Sequence, residues 1–273
     1  MKKNIFIIGR RSFIGSNLFS FLKNKQNIKI IDYKMILKKN LSELSNFDYI
    51  INCTSNVDYI KKKYSKNKDF DFIIANKIRY LNIKMIFLSS RKIYRSGFDL
   101  KETNRPNPLT NYSKNKLISE KNLKKILKKN ILILRIANLI GTCTKHKNKL
   151  HHTFQDIFFD NIRKGIIFEN NKCYKDFLSI NQFSLIVNEL IKKNSTGTYN
   201  VSIGKKIYLN QIIKWLNYYN KNDYKHVELQ KTHNNDSFTL NNQKLMNKIC
   251  IPNRIVDLKN DCKMISKNFF NNK

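Results

Sequence analysis

The sequence predicts an α/β fold, a doubly wound parallel sheet with a smaller C-terminal α+β lobe. Three observations predict it. Strand-length apolar runs alternate with helix-length amphipathic stretches through the first half, the pattern of parallel strands joined by helical crossovers. The first run ends in glycine and feeds directly into a helical stretch, as in units that cradle a phosphate. The chain has 273 residues, which at roughly 150 per domain is one large domain or one and a half.

The expected strands cover 5–8, 28–31, 49–52, 84–88 and 131–135. Between them, helices are expected over 13–23, 71–81 and 112–128. The last of these carries Leu117, Ile118, Leu123, Ile126 and Leu127 near a 3.6-residue period. Five strands with such crossovers make a doubly wound sheet. After Arg135 the pattern loosens, and 141–152 reads as a polar, basic loop or the start of a second region. Further on come a strand over 177–180, a helix over 182–193, a strand over 198–202 and a helix over 209–219 holding the only tryptophan, Trp215. The division expected is 1–141 for the first domain and 142–273 for the second lobe, with a strand and helix near 176–193 returning to the first. No repeat and no Pro/Gly/Ser linker separates them, so one compact unit is expected. Asn234-Asn235 and 271–273 read as surface turns and a frayed end.

Composition removes several classes. At 41% hydrophobic and 12% aromatic residues the chain is too apolar for intrinsic disorder. Its longest apolar runs, such as Ile131 to Leu134, are far too short to span a bilayer. The N-terminal stretch lacks the length and cleavage site of a signal peptide, so the protein is read as cytoplasmic. Five cysteines, an odd number without Cys-x-x-Cys spacing, support neither a disulfide framework nor a zinc cluster. The net charge of +34 invites a nucleic-acid reading. Against it, only nine of the 53 basic residues are arginine, and Lys, Asn and Ile are swollen together, as AT-rich codon drift produces. The lysines are also scattered, without the interleaved aromatics of a single-strand binder. Solvated surface is the expectation, although the field favours an acidic small-molecule substrate.

The chemistry-bearing residues begin at Gly9-Arg10-Arg11-Ser12-Phe13-Ile14-Gly15, a Gly-x-x-Ser-x-x-Gly turn between strand and helix. Small residues let backbone approach a pyrophosphate, and the helix start supplies amide donors and the positive end of its dipole. Asp32 closes the second strand 23 residues after Gly9, near the spacing at which an acid meets ribose hydroxyls. Ser90 ends the fourth strand. Tyr112 and Lys116, four apart, share a helix face. A lysine ammonium beside a phenol favours the phenolate that general acid/base work needs. His146, His151 and His152 lie close in sequence but have no carboxylate at ligand spacing, and no metal is expected. The stripe Phe154, Phe158, Phe159 reads as core, and Cys53 as packing.

Together these motifs resemble the extended short-chain dehydrogenase/reductase family, the NAD-dependent epimerase/dehydratase group acting on nucleotide sugars. The resemblance covers most of the chain. Asn52-Cys53-Thr54 resembles the family's Asn-Ala-Ala; Arg135-Ile136-Ala137-Asn138 with Gly141 its Arg-x-x-Asn-x-x-Gly; Lys175-Asp176-Phe177 its Arg-Asp-Phe; Gly197 to Val201 its Gly-x-Tyr-Asn-Val. It implies a Rossmann-like fold, with Ser90, Tyr112 and Lys116 in catalysis. Gly9, Arg11, Ser12, Phe13, Ile14, Gly15, Asp32, Asn52 and Lys116 would hold the cofactor; Ser90, Asn138 and Lys175 would hold a nucleotide-sugar substrate. Asn67 would be the family's Asn opening the preceding helix. NAD is expected and NADP stays open, because Asp32 favours a free ribose hydroxyl while an NADP-using relative carries Arg at the Arg11 position. A homodimer stays open too. Ser12 replaces the middle glycine, and Arg91 and Lys92 stand where a 4,6-dehydratase carries Asp and Glu, which disfavours dehydration. The expectation is reduction of a 4-keto sugar, with a 4-epimerase as alternative. A noncatalytic cofactor- or RNA-binding member is the more distant alternative, and Ser90, Tyr112 and Lys116 argue against it.

Overall fold

Strands that are apolar on both sides need cover on both faces, and the computed structural model, which describes residues 2–141, 154–169, 173–228, 236–252 and 254–271, supplies it. Six parallel strands form the central sheet, in the order Gly197–Val201, Ile131–Ile136, Lys84–Ser90, Tyr49–Asn52, Asn4–Ile8, Asn27–Ile31. Side chains alternate between the faces. Ile5, Ile7, Leu132 and Leu134 pack with Leu18 and Leu22 of helix Phe13–Leu22 and with Phe183, Val187 and Leu190 of helix Ile180–Lys192. Phe6, Ile8, Met85, Phe87 and Ile133 pack instead with Ile74 and Ile78 of helix Phe70–Ile78 and Leu123 and Leu127 of helix Asn111–Leu127. The fold is the doubly wound, Rossmann-like α/β class.

The expected strands are present to within two residues at each end. One strand is in a different place: 198–202, assigned above to the C-terminal lobe, is Gly197–Val201, the sixth strand of the central sheet. Local apolar pattern marks a strand but does not say which sheet it joins. The aromatic stripe lies on helix Phe154–Arg163, with Phe158 and Phe159 buried. A helix that the sequence reading omitted, Ile255–Asn271, adds Leu258, Cys262 and Ile265 to the cluster under the first sheet face.

Four two-stranded pairings lie beyond the sheet. Asn138–Ile140 pairs with Phe177–Ser179 and Gly97–Leu100 with Phe238–Leu240, both parallel. Tyr174–Lys175 pairs with Ile207–Tyr208, antiparallel, and Ile166–Glu169 with Lys225–Glu228, parallel. Among the described residues no helix is long and apolar enough to cross a membrane. The expected loop beyond Gly141 with Cys143, His146, His151 and His152, the Asn234-Asn235 turn, and Asn272 and Lys273 lie outside the described residues.

Candidate active site

The glycine turn is built for close approach. Gly9 has φ of +114°, and a Cβ there would come within 2.8 Å of Thr54 Cγ2 and 2.9 Å of Ser12 Oγ. At Gly15 a Cβ would sit 2.4 Å from the Gly9 carbonyl oxygen. Ser12, by contrast, has an ordinary φ of −79°, so its place in the turn needs no glycine. Its hydroxyl donates to the Gly9 carbonyl at 2.8 Å and accepts from the Gly15 amide at 3.0 Å, capping the helix. The first amides of a helix have no partner within it. Ser12 takes that of Gly15, and Phe13 and Ile14 stand at the wall of a cleft. A backbone cradle with no room for a Cβ, at a helix start, fits the pyrophosphate of a dinucleotide.

The cleft encloses about 590 Å³ at the carboxyl ends of the sheet strands, where a doubly wound sheet binds ligands. It brings together Phe13, Ile14, Asn52, Ser90, Tyr112, Lys116, Asn138 and Lys175 from eight separate sequence positions that were assigned roles above. Gly9, Ser12 and Gly15 stand behind its wall, in the turn. Arg11 and Asp32 do not border it and are exposed. Asp32 follows the second strand and precedes helix Tyr33–Lys38 without a side-chain capping bond. Arg10 folds back, its guanidinium donating to the Ile30 carbonyl at 3.1 Å.

Helix Asn111–Leu127 starts at a reciprocal cap. Thr110 Oγ1 accepts from the Ser113 amide at 3.2 Å and Ser113 Oγ from the Thr110 amide at 3.0 Å. That cap fixes the first turn, which carries Tyr112, half-buried at the cleft. Lys116 follows one turn later and is 5% exposed. Its ammonium lies 4.6 Å from the centre of the Phe87 ring and 3.9 Å from Asp71 Oδ2. Asp71, on helix Phe70–Ile78, accepts a 2.9 Å hydrogen bond from Asn52 Nδ2. Asn52 Oδ1 accepts from the Thr54 amide and hydroxyl, so Asn52 holds both the strand-end turn and Asp71 while bordering the cleft. Ser90 Oγ accepts from the Lys92 amide at 3.2 Å, which fixes the Ser90 side chain at the end of its strand.

Sequence reasoning missed Asp71. It pointed to Asn67, which is exposed and accepts from Ser65 Oγ; the buried polar group that faces Lys116 is four residues further on. The available signal was an acid between Phe70 and Phe72, in the first turn of an apolar helix and flanked by two aromatic residues. Burial, offset in part by Lys116 and reinforced by Asp69, pushes the Asp71 carboxyl from 3.8 up to about 7. A carboxyl raised on folding binds its proton more tightly in the native state, so its contribution to stability is complete below the unfolded pKa and is lost as pH rises through about 7. Urea unfolding at about pH 5 and about pH 8 is therefore expected to show a stability loss in the wild type that Asp71→Asn reduces. Equal losses in the two proteins would mean that Asp71 does not titrate in this window.

Burial, then the nearby Asp71, pushes the Cys53 thiol up, away from the thiolate, in keeping with packing. The matching family motifs also have structural partners. Asn200 donates to the Leu100 and Asn241 carbonyls and accepts from Tyr94, while Asp176 accepts from the amides of Ile203, Gly204 and Leu240. These bonds tie the pairing of Gly97–Leu100 with Phe238–Leu240 to the end of the sheet.

A model of the NAD dependent epimerase/dehydratase family matches residues 5–202. The chain belongs to that family. As a member of the NAD-dependent epimerase/dehydratase family it is an enzyme, with NAD as the family's cofactor. No curated protein sequence matches significantly. Among solved structures, a UDP-N-acetylglucosamine 4-epimerase from Methanobrevibacter ruminantium M1, in complex with UDP-N-acetylmuramic acid, is similar at TM-score 0.83 and 18% identity, over 100% of both chains. A dTDP-glucose 4,6-dehydratase from Bacillus anthracis str. Ames in complex with NAD is similar at TM-score 0.77 and 13% identity, over 100% of this chain and 97% of that one. A dTDP-4-dehydrorhamnose reductase from Yersinia enterocolitica is similar at TM-score 0.74 and 17% identity, over 98% of this chain and 100% of that one. At these identities the likeness is one of fold.

Proposed function

We propose that this family member is a cytoplasmic oxidoreductase that reduces the 4-keto group of a nucleotide-activated sugar, in deoxysugar or surface-polysaccharide biosynthesis. The observation that carries the reading is the cleft itself, which gathers Ser90, Tyr112 and Lys116 beside the wall of the glycine cradle. The reduced cofactor supplies the hydride when bound. The chain's own residues do the rest. Ser90 donates a hydrogen bond to the reacting oxygen, and Tyr112 delivers a proton to that oxygen from its phenol. Lys116, buried one helical turn after Tyr112 and paired with Asp71, supplies positive charge at the same cleft. Asn138 and Lys175 border the cleft and hold the substrate, and the segments after Gly141 that do not belong to the central sheet or its covering helices form its lobe.

Arg91 and Lys92 replace the acid pair of a 4,6-dehydratase, so removal of water lacks its acid and base. A 4-epimerase with retained NAD is the second reading, since a UDP-N-acetylglucosamine 4-epimerase shares this fold as a dTDP-4-dehydrorhamnose reductase does. Incubating the protein with a panel of nucleotide sugars and their 4-keto derivatives, with NADH or NADPH, separates these by mass spectrometry and chromatography. A product heavier by two hydrogens is the expected result; an isomer of unchanged mass would select the epimerase. No conversion of any nucleotide sugar would overturn the proposal. NADH is expected to bind more tightly than NADPH, because Asp32 repels a 2′-phosphate. Tighter NADPH binding that collapses in Arg11→Ala would show that the exposed arginine outweighs Asp32.

A further inference from the structure

On the substrate side of the cleft one carboxylate serves two cations. Asp236 Oδ2 receives the Arg91 guanidinium and lies 3.3 Å from Lys175 Nζ. Arg91 is buried, 3.9 Å from the Phe238 ring, and its Nε has no hydrogen-bond partner among the described residues. Lys92 borders the same cleft and makes no ion pair among the described residues. Partial burial, with Arg91 and Lys175 nearby and only Asp236 opposing them, holds the Lys92 ammonium below the usual lysine range. Among the described residues three cations, Arg91, Lys92 and Lys175, thus face one anion, Asp236, at a site beside Ser90.

We propose that this cluster is an anion subsite, and that the sugar of the substrate carries a carboxylate that pairs with Lys92 over the Arg91–Asp236–Lys175 base. The inference rests on the nucleotide-sugar reading above and narrows its substrate class to acidic sugars. Two anions could bring this chemistry, the sugar carboxylate and the diphosphate of the nucleotide. Position favours the carboxylate. Lys92 follows Ser90 by two residues and both border the same cleft, so the cluster adjoins the hydroxyl assigned above to the reacting oxygen. An ammonium at the cleft edge, crowded by like charge, gains more from an anion than an isolated surface lysine does.

The test is calorimetric titration of the NAD-loaded protein with UDP-glucuronic acid and with UDP-glucose. The glucuronate is expected to bind about tenfold more tightly or better, as a charge-assisted contact allows. Lys92→Gln should bring the ratio of the two dissociation constants to within about twofold, and Lys92→Arg should restore the preference. Retained NAD binding by each variant shows that it is folded. Equal binding of the two ligands by the wild type would overturn the inference while leaving the nucleotide-sugar reading intact. Equal weakening of both ligands in Lys92→Gln would assign the cluster to the diphosphate and overturn it as well. If neither ligand binds in the UDP or the corresponding dTDP series, the nucleotide-sugar reading itself falls, and the inference with it.

Discussion

Replacing Tyr112 by phenylalanine is expected to lower turnover by about 10²- to 10⁴-fold, the contribution of a positioned acid or base. One oxygen is removed and the ring remains. The helix that carries it is fixed by the Thr110–Ser113 cap at one end of the first turn and by the buried Lys116 at the next. Cofactor affinity, read by titrating NAD against intrinsic fluorescence, and the unfolding midpoint should stay near wild type. Single-turnover measurement with the nucleotide sugar found in the screen should then show the loss in the chemical step. If the variant turns over at the wild-type rate, Tyr112 is not the proton donor, and the half-buried phenol has only a packing role.

Much of the nucleotide-binding half was legible because its signals are local. A four-residue apolar run such as Tyr49–Asn52 declares itself, and a glycine at a strand end before a helix declares the turn. The helix start at Ile180 was also written in the chain, as Ser179 and Gln182 form a reciprocal cap, yet apolar periodicity alone placed it two residues late. Other features depend on partners far away in sequence. Gly97–Leu100 is four residues long and half exposed, and only its pairing with Phe238–Leu240, some 140 residues on, makes it a strand. Helix Ile255–Asn271 was hidden by its lysines and asparagines, although Leu258, Cys262 and Ile265 follow helical spacing. At the site, Ser90, Tyr112 and Lys116 were visible as motif residues. Asp71 and Asp236 were not, because each gains its meaning from the cations that folding brings to it.

Removing the Glu120 carboxylate is expected to cost about 3–5 kcal/mol of stability, the range for breaking a buried pair from one side. Glu120 and Arg135 are 2% and 5% exposed. The pair is two-pronged: Arg135 Nε donates to Glu120 Oε1 at 3.1 Å and Nη2 to Oε2 at 2.8 Å. Ser89 Oγ adds a 2.6 Å bond to Oε1, and Arg135 Nη1 reaches Tyr94 Oη and the Glu102 carbonyl. These contacts lock the end of strand Lys84–Ser90, helix Asn111–Leu127 and strand Ile131–Ile136 to one another next to Ser90. In Glu120→Ala a guanidinium is left in a dry site with two neutral acceptors, and the Ser89 hydroxyl loses its partner. Glu120→Gln keeps the shape but not the charge, so it should fall between alanine and wild type. The double variant Glu120→Leu/Arg135→Met should recover much of the loss, because it removes the charge along with its partner. Urea midpoints for the four proteins decide the matter. A Glu120→Ala cost below about 1 kcal/mol would place the pair among solvent-screened contacts, and a double variant no more stable than Glu120→Ala would show that the loss does not come from an unpaired buried charge.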